Sequence, residues 1–208
     1  MPDVSRQGML EALPIREDSL IIRHWNRDDM DRLASWPGYP FPYEVFDFSF
    51  RDSPVEERDR VFSMREARDD TVVLVVDHES QRAVGYISLN EIDWEHREIG
   101  NMGIRIEPSR RNRGIGTQAL RMIARWCFDN EIEEIRLDVA ASNGGAIRSY
   151  EKAGFDKTGE FWREAQDLEG KDLDQPRYNF LKPHLRRDGA TLSLRFIWMG
   201  IRAPQPGE

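Results

Sequence analysis

The densest chemical signal in the chain is the run Arg110-Arg111-Asn112-Arg113-Gly114-Ile115-Gly116-Thr117. It falls between a strand pattern and an amphipathic helix pattern. A helix start offers unpaired N–H donors and the positive end of a dipole, so it can hold phosphate oxygens. Gly114 and Gly116 carry no side chain, so backbone can approach an anion closely. Arg110, Arg111 and Arg113 concentrate positive charge in a chain whose net charge is −8. A pyrophosphate or a ribose phosphate suits that arrangement. Two other readings stay open on these residues alone. One is a plain strand–helix turn with solvated arginines. The other is a dinucleotide fold, since Gly114-x-Gly116-x-x-Ala119 fits G-x-G-x-x-A and Asp138 falls near the expected ribose acid. That motif needs its first glycine directly after the strand, and here Glu107 to Arg113 intervene. A P-loop fails, because no Lys-Ser or Lys-Thr follows the glycine.

Composition excludes several other chemistries. The single cysteine, Cys127, rules out a disulfide framework and a cysteine-based zinc site. His24, His78, His96 and His184 are scattered without metal-ligand spacing, so no metal is expected. With 38 acidic residues against 30 basic ones, a nucleic-acid partner is not expected, and cationic partners are mildly favoured. No apolar run approaches the length of a membrane span, and Asp3, Arg6 and Glu11 interrupt any signal-peptide core. A cytoplasmic setting fits best.

The elements that must position the arginine–glycine run can be read from periodicity. Residues 1–18 read as a loose lead-in, residues 19–202 as a single domain, and residues 203–208 as a frayed tail. Strands are expected over Ser19–Trp25, Thr71–Val76, Ala83–Ile92, Glu98–Ile106, Glu134–Val139, Phe155–Gln166 and Thr191–Ile201. Asn26 should cap a helix to about Ser35, and Pro54 should open another to about Arg68. Leu120, Ile123, Ala124 and Cys127 share one face of a helix over Thr117–Asp129. A short helix over Asn143–Ala153 should stop at Gly154. Between the first helices, Trp36 to Phe50 is aromatic and proline-rich, and reads as a packed loop. Residues 168–188 form an inserted polar segment. Three consecutive strands imply an antiparallel meander, and the later strand–helix–strand units imply parallel neighbours. The fold class is therefore mixed α/β: a mixed sheet with helices on both faces.

Two motifs in this order resemble the GNAT superfamily of acetyl-CoA-dependent N-acetyltransferases. Arg111-x-x-Gly114-x-Gly116 is similar to that family's R/Q-x-x-G-x-G/A loop. Asn143, Ala146, Tyr150, Gly154 and Phe155 are similar to its N-x-x-A-x-x-x-Y-x-x-x-G-F segment. The string Ile-Asp-Trp-Glu-His-Arg-Glu-Ile-Gly ending at Gly100 further resembles the branch of ribosomal-protein N-terminal and spermidine acetyltransferases. The resemblance implies a three-layer αβα fold around a V-split sheet of about seven strands. It implies that acetyl-CoA, as cosubstrate, lies along Ile104, Arg105 and Ile106. Its phosphates would meet Arg111, Asn112, Arg113, Gly114, Ile115, Gly116 and Thr117, with Asn143, Ala146 and Tyr150 beyond. Gly103 is a candidate for a bulge that splays the strand. A homodimer is also implied.

The expected reaction is direct attack of an amine on the acetyl thioester. The ammonium must first lose a proton, and the leaving thiolate must gain one. Tyr150 is the candidate general acid and Glu98 the candidate base, with Glu91 second. His96 and Cys127 read as a solvated turn residue and a core residue. The aromatic loop, with Trp36, Tyr39, Phe41, Tyr43, Phe46, Phe48, Phe50, Glu44 and Asp47, falls where the family builds its acceptor side. Rings and carboxylates there could cradle a cationic amine. The expected acceptor is a small-molecule amine or a peptide N-terminus. The alternative is a non-catalytic acyl-CoA sensor on the same fold. Residues 168–188 are open to three roles: a lid, a dimer interface or a long loop. Trp162 and Trp198 read as packing residues.

Overall fold

A computed structural model describes residues 4–41, 43–46, 50–79, 81–168 and 170–204, leaving Asp47, Phe48 and most of the expected tail outside the described residues. In chain order the elements are α1 (Arg6–Glu11), β1 (Ile15–Glu17), β2 (Leu20–His24), α2 (Arg27–Ala34), α3 (Val55–Glu66), β3 (Val72–His78), β4 (Gln81–Asp93) and β5 (Glu98–Ile106). Then follow α4 (Ile115–Asp129), β6 (Glu134–Ala140), α5 (Gly144–Ala153), β7 (Asp156–Glu164), β8 (Leu185–Asp188) and β9 (Thr191–Arg202). Among the described residues one mixed sheet runs β1-β2-β3-β4-β5-β6-β9-β7, with β8 also on β9. Every pairing is antiparallel except β5 with β6. No helix among the described residues is long and apolar enough to cross a membrane.

Alternation along β3 shows why both faces carry helices. Val72, Leu74 and Val76 enter the large core with Leu120, Ile123 and Cys127 of α4, while Val73 and Val75 enter a smaller one with Met30 and Leu33 of α2. Each such buried side chain contributes about 1.5–3 kcal/mol, which is what holds α4 and its N-terminus against the sheet.

The parallel pair β5–β6 is short. Only Glu98↔Glu134 and Ile99↔Ile135 are in register. Beyond them β5 stays on β4 as far as Ile106, and β6 stays on β9 as far as Ala140, so the sheet opens into a V. A kink marks the opening. Ile87 and Leu89 of β4 and Met102 of β5 face the large core, and so do Ile92 and Ile99, which have the opposite parity. The switch occurs at Glu91, in the left-handed region with φ 55°, opposite Gly100. A Cβ on Gly100 would sit 3.0 Å from the Glu91 side chain, so the crossing needs glycine. The irregularity is thus at Glu91 and Gly100. Gly103, the expected bulge, pairs in register with Ser88.

Three further expectations need correction. The lead-in is not loose: Met9 of α1 is fully buried, and β1 extends the sheet. Among the described residues the strand count is nine rather than about seven, because β1 and β8 are too short to show a periodicity. β7 is not beside β6, since β9 inserts antiparallel between them. Of the tail, Ala203 is tied by its N–H to the Glu133 carbonyl at 2.9 Å.

The frame beneath the V is locked by one arginine. Arg23 on β2 donates from both Nη atoms to Asp29 at 2.7 and 2.8 Å, and from Nε to Asp77 at 2.8 Å. Asp29 is buried and forms a reciprocal capping box with Asn26, while Asp77 also accepts the Ala83 N–H at 2.7 Å. One cation therefore joins β2, β3, α2 and the start of β4. Asp29→Ala would leave the half-buried Arg23 guanidinium with Asp77 as its remaining carboxylate and remove the cap, so a loss of about 2–4 kcal/mol is expected in urea denaturation. A loss below about 1 kcal/mol, the range of a surface ion pair, would show that this network does not hold the frame.

Candidate active site

The V and the start of α4 open into one cavity of about 810 Å³. Its floor follows from the split. From Asn101 to Ile106, the N–H and C=O groups of β5 that point away from β4 have no strand beside them. A linear amide chain entering the V can therefore pair with β5 as a strand would.

The phosphate end is built by conformation. Pro108–Arg110 forms a single 3-10 turn, Arg111 is extended, and Asn112 and Gly114 both take positive φ, 59° and 81°. The first helical bond of α4 runs from the Gln118 N–H to the Gly114 carbonyl, and no side chain caps the helix. The N–H groups of Ile115, Gly116 and Thr117, which line the cavity, thus have no intrahelical acceptor. A Cβ on Gly116 would meet Ile106 at 3.4 Å, so a small residue lets α4 sit close on β5. Arg111 lies over the Tyr43 ring, 3.5 Å from its centroid, and the Tyr39 hydroxyl donates to the Ile106 carbonyl at 2.6 Å.

The opposite wall comes from β6, β7 and α5. Asn143 caps α5 by accepting the Ala146 N–H at 3.2 Å, which leaves its amide N–H groups for other partners. Tyr150 is buried on the same helix, edge-on to Phe155 at 5.9 Å, and lines the cavity. Burial first, and the Asp138 carboxylate second, push its phenol above the ordinary tyrosine value, so it keeps its proton throughout the neutral range. Asp138 accepts from Arg163 at 2.8 Å.

Of the expected site residues, Ile104, Arg105, Ile106, Arg111, Asn112, Gly114, Ile115, Gly116, Thr117, Asn143, Ala146 and Tyr150 all line this cavity. Two do not. Arg113 is exposed and absent from the cavity lining. Glu98 sits at the closed end of the V, ion-paired with Arg136, and is absent from the cavity lining. Strand position alone does not reveal this, because the kink at Gly100 separates Glu98 from the open part of β5. Glu91 is exposed at the same kink. His96 is exposed and paired with Asp93, whose carboxylate raises its pKa. Cys127 is fully buried. Among the described residues no group of His, Cys, Asp and Glu converges to hold a metal.

The aromatic loop divides by role. Tyr39, Tyr43 and Phe50 line the cavity. Trp36 instead packs at the start of β4, donating to the Ala83 carbonyl at 3.1 Å. Residues 168–188 reach the same rim. Leu168 and Leu181 line the cavity, Phe180 meets Phe41 at 5.8 Å, and Arg177 pairs with Glu44. Trp162 and Trp198 lie in strands but are partly exposed, on opposite faces of the β7–β9 ladder: Trp198 stacks on Phe161 and Trp162 lies under Arg186. Residues that sequence reasoning passed over include Arg65, Tyr86, Ser88, Arg163 and Glu164, all in the lining. The period-two polar row Tyr86, Ser88 and Asn90 marks two of these; no local pattern marks Arg65, Arg163 or Glu164.

Comparison with known proteins agrees with this geometry. A model of the acetyltransferase (GNAT) family matches residues 24–155. An uncharacterized protein of Methanocaldococcus jannaschii is 27% identical over 69% of this chain and 30% of its own length. An aminoglycoside N(6')-acetyltransferase type 1 of Klebsiella pneumoniae is 34% identical over 37% of this chain and 42% of its own. The chain thus spans under half the length of the curated relatives it matches. The crystal structure of a spermidine N-acetyltransferase from Vibrio cholerae, in complex with CoA and spermine, superposes with a TM-score of 0.65. It shares 18% identity over 89% of this chain and 96% of that one.

The loop's left-handed turn at Gly114 is testable without ligand. A Cβ there would touch nothing within 4 Å, so Gly114→Ala adds only conformational strain. The expected cost is about 1–2 kcal/mol in denaturant titration. A neutral result would show that the loop reaches the same shape without its glycine.

Proposed function

The chain belongs to the acetyltransferase (GNAT) family, and from that premise we propose that it moves the acetyl group of acetyl-CoA directly onto a primary amine. One observation carries the reading. The unpaired stretch of β5, the uncapped start of α4 and the buried hydroxyl-bearing residue Tyr150 share one cavity. Acetyl-CoA, when bound, supplies an activated thioester and a leaving thiol.

The chain's own residues would divide the work as follows. The amides of Ile115, Gly116 and Thr117 and the guanidinium of Arg111 hold the diphosphate. The free edge of β5 along Ile104, Arg105 and Ile106 orients the pantetheine arm, and Asn143 and Ala146 bound it on the far side. A backbone N–H on that edge donates to the acetyl oxygen where negative charge grows. Tyr150 donates its phenolic proton toward the sulfur. Its raised pKa keeps that proton in place, and makes complete transfer depend on the charge developing at the sulfur.

Deprotonation of the incoming ammonium falls to the lining carboxylates, Asp138 and Glu164, through solvent. Glu98 is bound to Arg136 outside the cavity and takes no part. The acceptor enters from the rim formed by Tyr39, Tyr43 and residues 168–184, as a small amine or a peptide N-terminus. The polyamine and aminoglycoside acetyltransferases among the similar proteins support an amine acceptor.

Thiol release from acetyl-CoA across a panel of amines tests the reaction. Tyr150→Phe is expected to lower kcat about 100-fold, the scale of one lost proton donor, while acetyl-CoA affinity holds. Glu98→Gln is expected to stay within about twofold of the native rate, since a surface ion pair contributes little. Unchanged kcat in Tyr150→Phe would remove its role. Acetyl-CoA binding with no release for any amine would favour the non-catalytic sensor.

A further inference from the structure

The sheet face under α3 carries a polar site that the proposed chemistry does not use. On β4, Ile87 and Leu89 face the large core, which turns Tyr86, Ser88 and Asn90 to the other side. Across the pair lie Arg105, Gly103 and Asn101 in register. Gly103 has no side chain, so the row is open at Ser88. Arg65 of α3 reaches down onto this row, its Nη1 lying 3.4 Å from Asn90 Oδ1. Tyr86, Ser88, Asn101, Gly103, Arg65 and Arg105 all line the cavity.

The hydrogen bonds there are incomplete. Arg65 Nε is buried with no acceptor, and among the described residues no carboxylate forms an ion pair with Arg65. The Tyr86 hydroxyl is also buried and makes no well-formed hydrogen bond; Ser88 Oγ is the one polar group beside it, and the hydroxyl can turn from it to a ligand oxygen. Tyr86 itself is only 7% exposed. A buried guanidinium N–H and a buried hydroxyl left unmatched are both destabilising, and a ligand supplying an acceptor would satisfy them. Both are donors, and both lie on a cationic wall with Arg105, which has a partner of its own. The lining carboxylates offer no acceptor here: Asp138 is held by Arg163 across the V, and Glu164 belongs to β7 on that same far side.

We propose that the acceptor amine also carries an anionic group, a carboxylate or a phosphate, and that Arg65 and Tyr86 bind it. The inference rests on the acetyl-transfer reading and narrows its substrate class. An oligocation without an anion, such as a polyamine, leaves both donors unmatched and adds like charge beside Arg65 and Arg105. The preferred acceptor is then a zwitterion such as an amino acid, with its amine toward the V and its anion under α3.

Matched acceptors test this with the full-length protein: β-alanine against its amide, phosphoethanolamine against ethanolamine, and spermidine. The acids are expected to show KM about 10- to 100-fold below their neutral partners, the span of a charge-assisted hydrogen bond. The two acid arms separate carboxylate from phosphate. Arg65→Gln should raise KM for the acid to that of its neutral partner and leave the neutral partner unchanged, with Arg65→Lys restoring part of the effect. Tyr86→Phe, which removes one oxygen only, should raise KM for the acid alone by about 2- to 10-fold. Equal KM within each pair, or preference for spermidine, would overturn the proposal. If no amine is acetylated, the transfer reading itself falls. Calorimetric binding of N-acetyl-β-alanine and its amide to the CoA-bound protein then decides the point. Selective binding of the acid, lost in Arg65→Gln, supports the anion site, and equal binding rejects it.

Discussion

The early end of pairing between β5 and β6 is the constraint on which the rest of the structure depends. A continuous sheet would satisfy every backbone group of Asn101–Ile106 and leave no room between the strands. Parallel contact instead stops at Ile99 and Ile135. Both strands remain anchored on their outer sides, β5 by β4 and β6 by β9, so the gap stays open without collapse. The kink at Glu91 and Gly100 lets β4 and β5 turn away together. Their own ladder survives on both sides of the kink while the one with β6 ends. The wedge costs few unmatched backbone groups when the protein is free, because water reaches them, and offers those same groups to a ligand.

The helices convert this wedge into a site. α4 follows β5 through a loop that takes two left-handed steps, at Asn112 and Gly114, and so brings uncapped amides to the mouth of the V. α5 follows β6 and brings Asn143 and Tyr150 to the opposite wall. Each helix is held by apolar burial on the sheet rather than by contact with a ligand, so the donors are positioned in advance. Such preorganisation is where a binding site saves ordering entropy.

Much of this was legible in the sequence because the relevant signals are local. Arg111, Gly114 and Gly116 announce an anion loop by residue type and spacing, and Asn143, Tyr150 and Gly154 mark a capped helix with a glycine stop. Both families of residues fall where the structure needs them, and the seven longer strands were visible as apolar runs. What escaped was set by tertiary pairing. Glu98 looks like a site residue because it begins the central strand, yet its side chain is taken by Arg136 from the neighbouring strand. Arg113 belongs to the arginine run, but it is exposed and does not line the cavity. β9 inserts between β6 and β7, a choice of neighbour that no local pattern encodes. Arg65 carries no local signal, because α3 lacks a buried apolar stripe. The same lack of apolar burial leaves space beneath it for a polar site.

Charge distribution ties these observations together. The chain is acidic, with net charge −8, yet the described cavity wall holds Arg65, Arg105, Arg110, Arg111 and Arg163 against Asp138 and Glu164. Arg163 and Asp138 neutralise each other, and Glu44 near the rim is neutralised by Arg177. A surplus of positive charge therefore sits inside an acidic shell. Fields inside a cleft are governed by nearby groups in a low-dielectric wall more than by distant surface charge. Net charge alone points to cationic partners, as the composition first suggested. The local wall points the other way, to anions at both ends of the cavity: a diphosphate on α4, and a second negative group beneath α3.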